Sequence, residues 1–338
     1  MISNKTKKIK AAITAVGGFV PDDFISNKDL EKMVDTSDEW IIARTGIKKR
    51  RILKEKDKAT SFLASMAAKN LLDKKKIDPK DIDLVIVATI TPDYHVASTA
   101  PTVASEIKAT NAYAFDINAA CSGFLYGMSS ATSYIESGRY SKILLVGADM
   151  MSSIVDYTDR STSILFGDGA GAVLVEPSNN DFGWEDEYLR SDGVGAHWLK
   201  VKSGGSLYPT SRESVDNKWH YITQEGKTVF KSAVSEMANA TEQIIKRNKL
   251  NPEDIKYLLP HQANKRIIDA TAEKINLDKN KVLMNIENYG NTTAATIPLL
   301  MYDYEKDFKM GDKLILAAFG AGLTWGAAYL TWAYNQTI

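Results

Sequence analysis

Two short, nearly unbroken apolar runs, Leu84 to Thr89 (L-V-I-V-A-T) and Lys142 to Gly147 (K-I-L-L-V-G), read as strands buried on both faces. Between and around them the spacing changes to that of helices. Phe124, Leu125, Met128, Thr132 and Ile135 share one helical face that Gly138 would cap, and Ala59 to Leu72 has the pattern of an amphipathic helix. Shorter helices are predicted at Asn27 to Val34, at Ser37 to Arg44 with Ser37 as N-cap, and at Thr102 to Ile107 beyond a loop carrying Pro92 and Pro101. Tyr113 onward is a short strand breaking into the Phe124 helix, and Ser163 to Val175 is a glycine-rich turn and a strand. After an irregular polar stretch over 179–226, a long helix runs from Thr228 to Asn248. A strand at Lys256 to Leu259 is broken by Pro260, and the next helix places Ile267, Ile268, Thr271 and Ile275 on one face. Asn285 to Thr293 is a turn before a last helix that Pro298 is expected to kink. Strands alternating with helices argue for an α/β fold with largely parallel sheets.

The pattern also repeats. D-P-K-D-I-D-L-V-I-V at 78–87 is echoed by N-P-E-D-I-K-Y-L-L-P at 251–260, and I-L-L-V-G-A-D at 143–149 by L-I-L-A-A-F-G-A-G at 314–322. D-I-N-A-A-C-S-G matches N-I-E-N-Y-G-N-T in position. A period of about 170 residues predicts two related halves, residues 1–176 and 177–338, with a small-molecule site where they meet at strand ends.

Charge and composition narrow the chemistry. With 42 basic and 42 acidic residues among 338, no bulk field recruits nucleic acid or an anionic membrane. A single cysteine, Cys121, excludes an intramolecular disulfide or a cysteine-based zinc site and fits a reducing, cytoplasmic setting. The basic run from Lys5 to Lys10, followed by A-A-I-T-A-V-G-G-F-V, loosely imitates a signal peptide. Its apolar part is short and broken by Gly17 and Gly18, so it reads as a first strand and a turn at Pro21. No run approaches the ~18 apolar residues of a membrane helix, which predicts a soluble protein. No metal-ligand cluster or cofactor fingerprint stands out; F-G-D-G-A-G lacks the strand-turn-helix context of a dinucleotide site and reads as tight backbone packing.

Cys121 falls at the first turn of a helix, where unpaired N–H groups and the helix dipole favour a thiolate. Ala119, Ala120, Ser122 and Gly123 around it leave room for a ligand to reach the sulfur. His261, at the mouth of a strand, and Asn291, near a helix start, emerge from equivalent junctions; His95, His197 and His220 read as loop or surface residues. The order Cys, His, Asn also occurs in papain-like proteases, but C-G-S-C-W and further cysteines are lacking, and Asn291 opens a helix of its own.

Six motifs, D-T-S-D-E-W-I-I-A-R-T-G-I (35–47), N-A-A-C-S-G-F (118–124), F-G-D-G-A-G-A (166–172), P-H-Q-A-N-K-R-I (260–267), G-N-T-T-A-A-T-I-P (290–298) and F-G-A-G-L-T-W-G (319–326), resemble those of β-ketoacyl-acyl carrier protein synthase III. The resemblance implies a thiolase-like fold, five-layered αβαβα with duplicated halves, as a homodimer. It implies that Cys121 takes an acyl group from acyl-CoA and that malonyl-acyl carrier protein then condenses with it, losing carbon dioxide. Coenzyme A would be the only cofactor-like group, as a substrate. His261 Nε2 and Asn291 Nδ2 would donate to the enolate oxygen, and the backbone N–H groups of Cys121 and Ala321 would form the acyl oxyanion hole. Phe124 and Phe319 would keep the pocket dry. Trp40 and Arg160 would sandwich adenine, Arg44 would contact phosphate, and Gly226 would lie along the pantetheine arm; the next position, often asparagine, is Lys227. Lys231, Arg266 and Lys274 match the carrier-protein docking surface, whereas Glu273 replaces a base. Val96-Ala97 stands where the family commonly has Phe-Pro reaching across the dimer, which predicts a roomier primer pocket around Val96. Competing readings are an acyltransferase of secondary metabolism with another acceptor, a cysteine hydrolase, which would need a water-activating base, and a non-catalytic acyl-CoA binder.

Overall fold

The computed structural model of the chain describes residues 9–336, so the Lys5 to Lys8 part of the basic run lies outside them. A first sheet has five strands, in spatial order Ala11–Phe19, Gly169–Pro177, Ile143–Asp149, Leu84–Ala88 and Tyr113–Ile117. A second has four: Trp184–Ser191, Thr324–Thr331, Lys313–Gly320 and Ile255–Pro260. Written in this direction the lists correspond strand for strand, so the repeat seen in the sequence is a repeat of topology. The fifth strand of the second sheet has shrunk to one parallel bridge between Leu258 and Val282. It lies where Leu84–Ala88 pairs with Tyr113–Ile117 in the first.

Both sheets are mixed rather than largely parallel. Gly169–Pro177 runs antiparallel to both of its neighbours, and so does Thr324–Thr331. The expectation failed because the short Ala321–Leu323 turn joins its strands directly, as only an antiparallel pair allows.

Helices complete five layers. Thr60–Lys75 covers the outer face of the first sheet, and Gly226–Arg247 with Lys265–Lys274 covers that of the second. Between the sheets lie Gly123–Glu136, the cysteine helix, and Thr296–Asp303, the asparagine helix. There Phe124, Leu125 and Ile297 meet Ile86, Leu145 and Leu316 in one fully buried cluster.

Thr60–Lys75 is less amphipathic than expected, because Ser61 and Ser65 are buried along with Leu63, Ala67 and Leu71. Pro101 and Pro298 both sit in first turns, of Thr99–Glu106 and Thr296–Asp303. A first-turn N–H has no intrahelical partner to lose, so the helix of Thr99 starts before its proline and Pro298 needs no kink. The irregular 179–226 stretch supplies the Trp184–Ser191 strand and a short antiparallel pair, Leu199–Val201 with Ile222–Gln224. Among the described residues no helix is long and apolar enough to cross a membrane.

Candidate active site

Cys121, His261 and Asn291 line one cavity of about 240 Å³ at the seam between the two halves. All three are buried, at 7 %, 1 % and 6 % exposure. Each leaves a strand end or turn as the sequence suggested, and the Cys121 and Asn291 junctions are tied to the opposite half.

Cys121 lies in a short 3-10 turn, Ala120–Ser122, that feeds the cysteine helix. Ala120 takes a left-handed φ of 47°, and Gly320 packs so closely that a Cβ there would lie 2.7 Å from the Cys121 nitrogen. Thr324 fastens the turn, its hydroxyl donating to the Ala119 carbonyl at 2.8 Å while its own carbonyl accepts from the Ser122 hydroxyl at 3.0 Å. The small residues around the sulfur thus serve close packing more than ligand access: a Cβ on Gly123 would touch Ala88, and Ser122 is fully buried.

The thiolate expectation fails here. Burial, aided by the nearby Asp149 carboxylate, pushes the Cys121 thiol up to about 12. A helix terminus offers roughly 0.3–2 kcal/mol to a charge, and each pKa unit is worth about 1.4 kcal/mol. Desolvation therefore wins, and the resting group is a thiol.

Pro260 ends its strand still paired with Ala317, and the His261 N–H donates to the Ala317 carbonyl at 2.7 Å. Burial drops the imidazole to about 3, so the ring is neutral. Its Nδ1 meets the Thr296 hydroxyl at 2.8 Å. Gln262 joins this loop to the next one by accepting from the Asn285 and Ile286 N–H groups at 3.1 and 3.2 Å. Asn291 is knit to the F-G-D-G segment: its N–H donates to Leu165 at 2.9 Å and its carbonyl accepts from Gly167 at 3.1 Å. A Cβ on Gly167 would sit 2.2 Å from the Tyr289 carbonyl, the tight packing expected of that motif. The Asn291 Oδ1 accepts from the Thr293 N–H at 2.9 Å, which leaves Nδ2 as its free donor.

Trp40, Arg44 and Gly226 line the outer part of the cavity. Two guanidiniums approach the Trp40 ring, Arg44 at 5.6 Å and Arg160 at 5.3 Å from its centroid. Gly226 opens the long outer helix with no atom closer than 4.0 Å to a Cβ built on it. Arg266 also lines the cavity, its guanidinium 4.9 Å from the Phe230 ring centroid, and Lys231 and Lys274 are exposed.

Other expected residues fall elsewhere. Phe124 is fully buried in the core between the sheets and does not line the cavity, because its helical position turns it toward Ile86 and Leu145; Phe319, Phe166 and Phe230 supply the aromatic wall instead. Val96 is 97 % exposed and borders neither cavity near the cysteine in this single chain. Ala321 lines a second cavity of about 290 Å³, walled by Ile90, Ala120, Ile154 and Ile222; Leu199 borders both. The sequence reading missed Thr296, Gln262 and Asp149, whose only signal was membership in the quoted motifs or strands.

Comparison with known proteins places this geometry in a family. The model described as 3-Oxoacyl-[acyl-carrier-protein (ACP)] synthase III matches residues 115–193, and that of its C-terminal part matches 245–332. The chain is 53% identical over 329 residues to the beta-ketoacyl-[acyl-carrier-protein] synthase III 2 of Bacteroides thetaiotaomicron, covering 97% of this chain and 98% of that one. The crystal structure of the 3-oxoacyl-[acyl-carrier-protein] synthase III of Aquifex aeolicus superposes with a TM-score of 0.88 at 41% identity, covering 96% of this chain and 100% of the other. That of Pseudomonas aeruginosa gives 0.88 at 36% identity, with 97% and 100% covered. The chain belongs to the β-ketoacyl-acyl carrier protein synthase III family of condensing acyltransferases, a thiolase-like fold with two duplicated halves.

Proposed function

We propose that this chain joins an acyl-CoA primer to malonyl-acyl carrier protein, with Cys121 as nucleophile and His261 and Asn291 on the malonyl thioester. The observation that carries the reading is the convergence of a thiol, a neutral imidazole and a free carboxamide NH₂ in one buried cavity whose mouth holds an arginine-flanked tryptophan.

Adenine is sandwiched between Trp40 and Arg160, Arg44 contacts a phosphate, and the pantetheine arm passes Gly226. The Cys121 sulfur attacks the acyl carbonyl; its proton leaves with the departing CoA sulfur as the thioester forms on the enzyme. Backbone N–H groups of Cys121 and Ala321 hold the oxyanion. In the second step carbon dioxide departs from the malonyl group, and the enolate left behind attacks the acyl-cysteine carbonyl. The 3-oxoacyl carrier protein departs and the Cys121 thiolate takes a proton from solvent. Asn291 Nδ2 and His261 Nε2 face the enolate oxygen, where one such donor is worth about 10²–10³ in rate. An acidic carrier protein meets Lys231, Arg266 and Lys274.

The division into residues 1–176 and 177–338 is supported by the two sheets, which part at the end of the Gly169–Pro177 strand. Dimerisation is proposed through the Tyr113–Ile117 edge strand, whose outer side pairs with no other strand among the described residues. The loop holding Tyr94 and Val96, 70 % and 97 % exposed, would be covered in the pair. The cavity beyond Ala120 takes the primer hydrocarbon, and primers longer or more branched than acetyl are expected to fit. Product analysis tests the whole reading: acyl-CoA with malonyl carrier protein should yield carbon dioxide and a 3-oxoacyl product. Free acid would mean a hydrolase, and an ester or amide a transferase with another acceptor.

A further inference from the structure

We propose that Asp149 and Thr293 form a clamp that aims Asn291, making Thr293 a positioning residue for the carbon–carbon bond-forming step. The proposal rests on the reading that the Asn291 side chain faces the malonyl thioester. Thr293 has a left-handed φ of 52°. A β-branched residue keeps that conformation only where its surroundings impose it.

The reason lies in what the conformation does with its backbone. The Thr293 N–H donates to Asn291 Oδ1 at 2.9 Å, which turns the carboxamide so that Nδ2 is left free. The Thr293 carbonyl accepts from the Thr296 hydroxyl at 3.0 Å, and that hydroxyl meets His261 Nδ1 at 2.8 Å. One strained residue therefore controls the amide directly, while the Thr296 hydroxyl, within reach of both the Thr293 carbonyl and the imidazole, can give its proton to only one of them.

Asp149 supplies the constraint. It ends a strand of the first half, is wholly buried, and accepts at Oδ2 from the Thr293 hydroxyl and the Ala294 N–H. Its Oδ1 is held by the Thr89 hydroxyl at 2.9 Å, the Ile90 N–H at 2.8 Å, and the Thr91 N–H and hydroxyl at 3.2 and 3.0 Å. The carboxylate is thus immobilised by one half and grips the asparagine turn of the other. Neither Asp149 nor Thr293 lines the cavity, so their influence on the reaction passes through the residues they orient.

The test separates the two half-reactions in the full-length chain. Acylation of Cys121 is followed by intact mass after mixing with acyl-CoA; carbon dioxide release is followed from the acylated enzyme with saturating malonyl carrier protein. Thr293→Ala should slow the second step about tenfold or more beyond any change in the first. Thr293→Ser, which keeps the hydroxyl, should restore it to within about threefold. Thr293→Gly accepts the same φ without strain but lacks the grip, and should behave like the alanine variant. Should Thr293→Ala fail to fold, Asp149→Asn, which removes one acceptor with little change of shape, should show the same split. Equal loss in both steps, an unimpaired second step, or failure of serine to rescue would overturn the clamp. A wild-type chain that becomes acylated but releases no carbon dioxide would overturn the functional reading and the clamp with it. A wild type that does both, with the ratio unmoved by the variants, overturns the clamp alone.

Discussion

The Nδ1 of His261 lies 2.8 Å from the Thr296 hydroxyl, which in turn lies 3.0 Å from the Thr293 carbonyl. A hydroxyl has one proton to give. Given to the carbonyl, it leaves the ring proton on Nδ1 and makes Nε2 an acceptor. Given to the ring, it makes Nε2–H a donor, the state that stabilises an enolate. Thr296→Val abolishes that choice at nearly constant shape. The expected result is a fall in condensation turnover approaching the ~10²–10³ of a lost oxyanion donor, with Cys121 acylation little changed and Thr296→Ser close to wild type. Unchanged turnover in the valine variant would rule out control of the ring by this hydroxyl.

Burial holds Cys121 as a thiol near neutral pH, with its ionisation pushed up to about 12. Alkylation by iodoacetamide should therefore be slow at pH 7 and rise about tenfold per pH unit through pH 9, tracking the thiolate fraction. A rate that levels off below pH 8 would show that the helix terminus outweighs desolvation after all.

The histidine also links stability to pH. Its folded value, about 3, lies below the ordinary 6.5, so the unfolded chain binds a proton that the native state refuses. Stability is then lost as pH falls from 6.5 toward 3, at up to ~1.4 kcal/mol per unit. Asp168, raised by burial to about 6 from 3.8, works with the opposite sign, lending stability as pH falls through that window. His261→Asn should flatten the acid limb of urea midpoints between pH 6.5 and 4 relative to wild type. A parallel pair of curves would show that the imidazole is not buried neutral.

Much of this site was legible before any coordinates, for reasons that particular residues make plain. Pro260 and the Gly290-Asn291 pair are punctuation that local chemistry enforces, so His261 and Asn291 could be set at junctions from the sequence alone. The echo of 78–87 in 251–260 survived because buried strands and their preceding turns tolerate few residue types. What escaped was contact between distant positions. Asp149 and Thr293 are 144 residues apart and His261 and Thr296 are 35 apart, and no local pattern marks either pair. Phe124 follows Cys121 closely in sequence yet faces the core, because successive helical positions diverge by about 100°. The mixed sheets were missed because a buried strand carries the same apolar run whichever way its neighbour runs.

At the mouth, Trp40 is 39 % exposed and its ring is approached by Arg44 and Arg160. Cation–π and stacking contacts at such a site are worth about 0.5–1 kcal/mol each. Trp40→Ala should raise KM for acyl-CoA several-fold while leaving turnover at saturation alone. A short thioester lacking the nucleotide is the control, and its KM should not move. If both KM values rise together, Trp40 supports the fold rather than the nucleotide.

The most direct test of the central claim is Asn291→Ala, read on each half-reaction separately. The account predicts that the variant still gains the acyl mass on Cys121 when mixed with acyl-CoA, while release of carbon dioxide from malonyl carrier protein falls by about 10²–10³. Carbon dioxide release at the wild-type rate in that variant, or an acyl group found anywhere but on Cys121, would contradict it.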